Sequence, residues 1–243
     1  MMRLPITAAA LLALLTLAEP VAAQQLTVDL GSEGAFTGRL FQLIALITVI
    51  TLAPSLLVVT TSFTRIVVVL SLMRSAIGVQ QTPPNTVIVG LALFLTAYVM
   101  APTFERAYED GILPLINDEI TEQQAFERTA APVHKFMRET VRQKDLQLFI
   151  EMSKVETPEK AEDIPLRALI PAFMISELKR AFEIGFLVFV PFIVIDMVVA
   201  SVLMSMGMMM LPPIMISLPF KLVFFVLVDG WHLITSSLVR SFG

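Results

Sequence analysis

The chain has 243 residues, of which 56% are hydrophobic and only 16% are charged, with a formal net charge of −4. A soluble domain carries about a quarter charged residues, so too little polar sequence remains here to cover a soluble core. The charges form no basic run, so the sequence predicts no nucleic-acid partner. Cysteine is absent, which excludes disulfides, thiolate chemistry and cysteine metal sites.

Three long stretches of the chain carry no charge. They comprise 25 residues (40–64), 30 residues (75–104) and 24 residues (197–220). Each is long enough to span a membrane, because about 20 apolar residues cross the hydrocarbon core as a helix. The sequence therefore predicts an all-α membrane protein of helical hairpins, with about four apolar segments.

The first residues have the pattern of a secretory signal peptide. Arg3 supplies a positive charge, residues 8–17 are apolar, and small residues end at Ala23. An uncleaved anchor is the alternative, but the apolar stretch is short for a span. We expect cleavage between Ala23 and Gln24, which defines a signal peptide of residues 1–23.

The first part of the mature chain is predicted to be a flexible periplasmic lead (24–39) followed by a membrane hairpin (40–104). Pro54 and a polar cluster at residues 60–65 interrupt the first apolar stretch, which favours a span followed by a polar-lined or re-entrant helix. The second span is expected to begin near Thr86, after a turn, and to be closed after Met100 by Pro102.

Residues 105–183 are predicted to form a polar helical region. Between residues 105 and 167 there are 14 acidic and 9 basic residues. Thr121 with Gln124 is typical of a capping box that opens a helix. Apolar residues then recur at helical spacing and are expected to pack on neighbouring helices; they are Val133, Phe136, Met137, Val141, Leu146, Phe149 and Ile150.

The basic residues predict the orientation. Arg65 and Arg74 lie between the first two spans with no acidic residue near them, whereas the polar region is net acidic. Short basic loops stay in the cytoplasm. We therefore expect residues 105–183 to be periplasmic, before a second membrane hairpin (184–243) whose last apolar segment runs from about Ile214 to Trp231.

Asp196 and Lys221 each interrupt an apolar run, where a charge costs about 2.5–3.5 kcal/mol. If the chain turns at residues 207–213, the two charges lie at similar depth, about 18 Å from the turn. This favours a charge pair within or between chains, and a proton relay is the alternative.

Arg65 and Glu177 are candidate structural or interface residues. Arg65 could cap neighbouring carbonyls or mark the cytoplasmic boundary, and the sequence does not decide between these roles. Glu177 lies among other charges, which favours the solvated end of a helix.

Methionine is concentrated between residues 204 and 210. Met204, Met206, Met208, Met209 and Met210 place five methionines in seven residues, next to Gly207 and a Pro-Pro pair. Core filling is the usual role of methionine, but a turn is an unusual place for it.

No catalytic or metal-binding pattern is found. The two histidines, His134 and His232, form no metal-binding motif, and there is no nucleophile elbow or phosphate-binding loop. We expect neither enzymatic activity nor a cofactor.

Three stretches of the chain resemble the FliP family of the flagellar type III export gate. The resemblance covers roughly residues 43–239. Its motifs are Thr61-Ser62-Phe63-Thr64-Arg65-Ile66 with Pro83-Pro84-Asn85, Pro171-Ala172-Phe173-Met174-Ile175-Ser176-Glu177-Leu178-Lys179-Arg180-Ala181-Phe182, and Pro191-Phe192-Ile193-Val194-Ile195-Asp196 with Gly207-Met208-Met209-Met210-Leu211-Pro212-Pro213.

The resemblance implies a subunit of a protein-conducting pore in the bacterial inner membrane, at the flagellar basal body. It implies a pentamer that assembles with FliQ-like and FliR-like subunits into a helical cone, through which unfolded flagellar subunits pass. It also implies that the loop carrying Met208, Met209 and Met210 gates this pore. An alternative from the residues themselves is a small-solute or ion transporter that uses Asp196.

Overall fold

The structure is a computed structural model, which describes residues 33–79, 81–153, 161–208 and 210–243. The predicted cleavage site at Ala23 and Gln24 lies outside these ranges, as does Met209. The chain divides into two compact units, Met1–Thr51 and Leu52–Gly243. All the contacts reported below lie within the second unit.

The predicted all-α class is confirmed for the part of the chain that the structure describes, where every regular element is helical. There is also a π-helical turn at Tyr108–Ile112 and a 3₁₀ turn at Ala161–Asp163. The α-helices are α1 (Glu33–Thr60), α2 (Phe63–Ile77), α3 (Asn85–Ala107), α4 (Leu113–Ile116), α5 (Glu122–Thr140), α6 (Gln143–Ser153), α7 (Leu166–Ser205), α8 (Pro213–Leu227) and α9 (Gly230–Arg240).

Two helical stretches are long and apolar enough to cross a membrane, Asn85–Ile116 and Leu166–Ser205. Two further pairs of helices, each bent at a short break, are long and apolar enough when the pair is taken as one span. They are Gly38–Leu52 with Pro54–Thr60, and α8 with α9. The ranges that the structure covers thus contain two to four candidate spans. This range includes the predicted four segments.

Helix α2 lies at the centre of the second unit. It follows a break at Thr61 and Ser62, both of which are buried. Apart from Thr64 and Arg65, its buried residues are apolar. Its buried residues pack against those of α3, α7, α8 and α9; these partners are Ile88, Ala92, Ala181, Phe192, Phe225 and Leu238.

Helix α3 does not end near Met100 as predicted. It passes through Pro102 to Ala107 and continues into the π-helical turn and α4. A proline inside a helix removes its own backbone hydrogen bond and crowds the carbonyl four residues earlier, but α5 packs along both α3 and the π-helical turn. This packing keeps the residues beyond Pro102 helical.

The predicted capping box at the start of α5 is confirmed. The Thr121 side chain accepts a hydrogen bond from the Gln124 backbone N–H, and the Gln124 side chain accepts one from the Thr121 N–H. The predicted apolar stripes of α5 and α6 also pack as expected. They meet Leu169, Ala172 and Phe173 of α7 in one buried cluster.

Helix α7 is a single helix of 40 residues that contains Pro171 and Pro191. The predicted change from polar region to membrane hairpin at residues 183–184 therefore falls inside an unbroken helix. The predicted segment from Ile214 to Trp231, in contrast, is not one helix.

The last apolar segment breaks between α8 and α9, which meet at a bend of 63°. Asp229 adopts a left-handed conformation with φ of 49°, which keeps α8 from continuing because a right-handed helix requires negative φ. A Cβ at Gly230 would overlap the Phe225 ring, so only glycine permits this close approach. The bend returns α9 to the core beside α2.

Candidate functional site

Asp196 of α7 and Lys221 of α8 lie side by side within one chain. Lys221 Nζ is 2.6 Å from Asp196 Oδ2, and the Ser217 hydroxyl donates a hydrogen bond to Asp196 Oδ1. The Lys221 side chain is buried and that of Asp196 is partly buried. The carboxylate is therefore satisfied by two groups from the facing helix.

Lys221 also reaches the C-terminal end of α2. Its Nζ lies 3.4 Å from the backbone oxygen of Ala76 in the last turn of that helix. The C-terminal end of a helix carries partial negative charge and stabilises a cation. The ammonium group thus joins three helices, α2, α7 and α8, at one point.

Arg65 of α2 and Glu177 of α7 form a second buried pair. Arg65 Nε donates to Glu177 Oε2 at 2.9 Å, and Arg65 Nη2 donates to Glu177 Oε1. Two parallel hydrogen bonds of this kind fix both direction and distance. Arg65 also bonds one backbone carbonyl, that of Ser241 at the C-terminal end of α9.

The interpretation of Glu177 as part of a solvated helix end is wrong. Its side chain is 0% exposed, whereas Lys179 and Glu183 form an ion pair with side chains 55% and 59% exposed. Glu177 lies four residues after Phe173 and four before Ala181, and both are fully buried. This spacing puts Glu177 on the buried face of α7 and could have revealed it in the sequence.

Sequence reasoning missed a third polar cluster, between α6 and α7. The Ser176 hydroxyl donates to Asp145 Oδ2 at 2.7 Å, and Arg142 binds the same carboxylate through two nitrogens. Burial acts to raise the pKa of Asp145, but the hydrogen bonds from Ser176 and Arg142 outweigh it and hold the pKa below its ordinary value of 3.8. Asp145 is therefore a carboxylate that stabilises the folded state.

The methionine-rich turn follows directly from the end of α7. The Met208 N–H bonds to the Leu203 carbonyl and the Gly207 N–H to the Met204 carbonyl, the pattern of a Schellman motif. Gly207 has φ of +75°, which suits glycine. Met210 is 99% exposed, and Met204, Met206 and Met208 are exposed as well. The turn thus presents apolar side chains that nothing within the described chain covers.

Apolar surface continues along the α7–α8 hairpin. A groove of about 470 Å³ lies between the two helices. It is lined by apolar side chains only, which are Val194, Ile195, Val198, Val199, Val202, Leu203, Ile216 and Phe220. Soluble monomers rarely expose contiguous apolar patches of this kind.

These features define an all-helical membrane protein whose buried charges are paired. A family model described as the FliP family matches residues 46–238. The flagellar biosynthetic protein FliP of Caulobacter vibrioides is 60% identical over 93% of this chain and 85% of that protein. The proteins of the same name from Bacillus subtilis and Agrobacterium fabrum are 55% and 47% identical, over 83% and 100% of this chain and 91% and 100% of those proteins.

The chain therefore belongs to the FliP family. With its apolar helices, it is a membrane component of flagellar biosynthesis. Membership of a flagellar family and the binding of Asp196 by Lys221 and Ser217 both disfavour a small-solute transporter that uses Asp196.

Proposed function

We propose that several copies of this chain, five by resemblance to the family, assemble with FliQ-like and FliR-like membrane subunits into the flagellar protein export gate. Unfolded flagellar subunits pass through the centre of this inner-membrane assembly. The chain itself carries out no catalysis. Residues 105–183 lie on the periplasmic side, beyond a cleaved signal peptide.

Membership of the FliP family carries this proposal. The exposed apolar surface of the α7–α8 hairpin supports it, because lipid or neighbouring subunits must cover such a surface. The buried ion pairs also support it. Paired charges leave the hairpins apolar on the outside and able to pack against other subunits.

We further propose that Met208, Met209 and Met210 close the pore when no substrate is in transit. Thioether side chains are flexible and apolar. A ring of them from several subunits would exclude water, and it could rearrange around a passing chain of almost any sequence. Hydrophobic constrictions of this kind gate by dewetting.

The assembly is tested by co-expressing tagged and untagged copies and measuring the mass and composition of the detergent-extracted complex. We expect the untagged copy and two small membrane proteins to be isolated with the tagged copy. A monomer that binds a small solute tightly would contradict the proposal.

The path of the substrate is tested by photo-crosslinking in cells that are exporting flagellar subunits. A crosslinker at Met208 is expected to capture an exported subunit. The same crosslinker at Met152, an exposed methionine of α6, is the control and should capture none. Equal capture at both positions would show that the methionine-rich turn does not line the path.

A further inference from the structure

The segment that follows α9 is bound by the same arginine that pairs with Glu177. Arg65 Nη1 lies 2.8 Å from the Ser241 backbone oxygen and 2.9 Å from its hydroxyl oxygen. The Arg65 guanidinium carbon lies 3.7 Å from the centroid of the Phe242 ring. Arg65 therefore binds Glu177 through Nε and Nη2, Ser241 through Nη1, and Phe242 through the face of its guanidinium.

Phe242 continues this set of contacts into the polar helical region. Its ring stacks on that of Phe136 in α5, with centroids 6.3 Å apart and planes 25° apart. Phe136 in turn meets the edge of Phe173 in α7 at 6.0 Å. Phe173 lies one helical turn before Glu177, so the contacts form a closed circuit through α2, residues 241–242, α5 and α7.

The chemistry of arginine suits this junction better than that of lysine. A guanidinium offers five N–H donors in a fixed plane and also stacks on aromatic rings. Here it binds a carboxylate, a backbone carbonyl and a hydroxyl while its face covers a ring. A lysine ammonium keeps the charge but cannot make these contacts together.

We propose that Ser241 and Phe242 act as a clasp, that Arg65 is the positioning residue holding it, and that the clasp fixes α5 against α2 and α7. Within the circuit, the ring of Phe242 joins Arg65 to α5 without passing through α7. Opening the clasp therefore frees residues 241–243 and loosens α5, while α8 and its pair with α7 stay in place. This inference does not depend on the export function.

The clasp is tested with a nitroxide spin label on the full-length protein in lipid vesicles. The chain contains no cysteine, and a Cβ at Gly243 meets no atom within 4 Å, so Gly243→Cys provides a single labelling site. The label is exposed in the parent, so the spectrum of the parent sets the baseline mobility. Arg65→Lys and Phe242→Leu should each raise the mobile fraction severalfold.

Arg240→Lys is the matched control, because it makes the same change at an exposed position next to the clasp. Hydrogen exchange on the same samples should become faster in α5 and remain unchanged in α8. If Arg65→Lys fails to fold, Phe242→Leu decides the matter, since that side chain is only partly buried.

Three outcomes would overturn the proposal. Label mobility unchanged from the parent in folded Arg65→Lys or Phe242→Leu protein would mean that these contacts do not hold residues 241–243. A mobile label with unchanged exchange in α5 would mean that the clasp positions nothing beyond itself. A merely structural role for Arg65 predicts faster exchange in every helix alike, which would contradict the proposal as well.

Discussion

Arg65 and Glu177 are separated by 112 positions in the chain, yet they form a bidentate ion pair with side-chain exposures of 1% and 0%. Such a pair contributes little compared with well-packed apolar residues, because both charges lose their hydration. Removing only one partner is costly, however, because the remaining charge is then buried without a counter-charge. The pair therefore constrains the fold more than it stabilises it.

Glu177→Gln should destabilise the protein by about 3 kcal/mol, since Arg65 would lose its counter-charge. The measurement is unfolding of the detergent-solubilised protein by denaturant. The double variant Arg65→Met with Glu177→Leu should recover part of the loss, because it buries no charge but also removes the contacts of Arg65 with residues 241–242. Glu183→Gln in the exposed pair is the control and should cost about 0.5 kcal/mol or less. A double variant no more stable than Glu177→Gln would contradict this account.

Asp196→Ala and Lys221→Ala should each deplete the assembled complex, because each leaves one charge without its partner in an apolar environment. Exchanging the two charges should restore part of the assembly. Recovery should be incomplete, because a carboxylate at position 221 would face the Ala76 backbone oxygen. The amount of complex after gentle extraction from membranes is the measurement. If the two single effects simply add, the residues act separately.

The stability contributed by Asp145 should depend on pH in a definite direction. Its pKa is lowered on folding, so its contribution is fully present above the ordinary value of 3.8 and is lost as the pH falls through the folded value. The difference in unfolding free energy between the parent and Asp145→Asn should therefore shrink as the pH falls below about 5 and through the folded pKa. Glu139→Gln, at an exposed carboxylate, is the control. A difference that stays constant with pH would show that the Asp145 pKa is the same in both states.

Replacing Met208, Met209 and Met210 together by alanine should make membranes leak small ions while the complex still assembles. The shorter side chains leave a wider, hydrated opening where the thioether groups would meet. Ion conductance across membranes carrying the variant is the measurement. The control replaces Met197 of α7 and Met215 of α8 by alanine; both are exposed and lie in the helices of the same hairpin, outside its turn. If the triple variant assembles and its membranes do not leak ions, these methionines are packing residues and do not close the pore.

The sequence predicted those features that depend on local pattern. Composition and uncharged runs gave the helical membrane class, and the Thr121–Gln124 spacing gave the start of α5. The last apolar segment was predicted as one helix because hydropathy does not detect a bend between two apolar helices. The Asp229-Gly230 pair is itself a turn signal, and it marks the place where the helix breaks.

Long-range contacts explain the rest of what the sequence did not predict. Glu177 was assigned to solvent because charges surround it in the chain, whereas the helix turns those neighbours to another face. Ser241 and Phe242 have no recognisable pattern in the sequence, since their role depends on Arg65, which is 176 positions from Ser241. Contacts between residues so far apart in the chain leave no periodic pattern in the sequence.

Helix α7 carries both buried ion pairs, and Pro191 lies between them. Glu177 and Asp196 are 19 residues apart, or about 28 Å along the helix axis. A proline inside a helix removes one backbone hydrogen bond and makes that point a place to flex. Because an ion pair fixes α7 to another helix on either side of Pro191, bending at that proline is restrained. Movement of the methionine-rich turn would then require bending of the chain beyond Asp196 or the breaking of one of the two ion pairs.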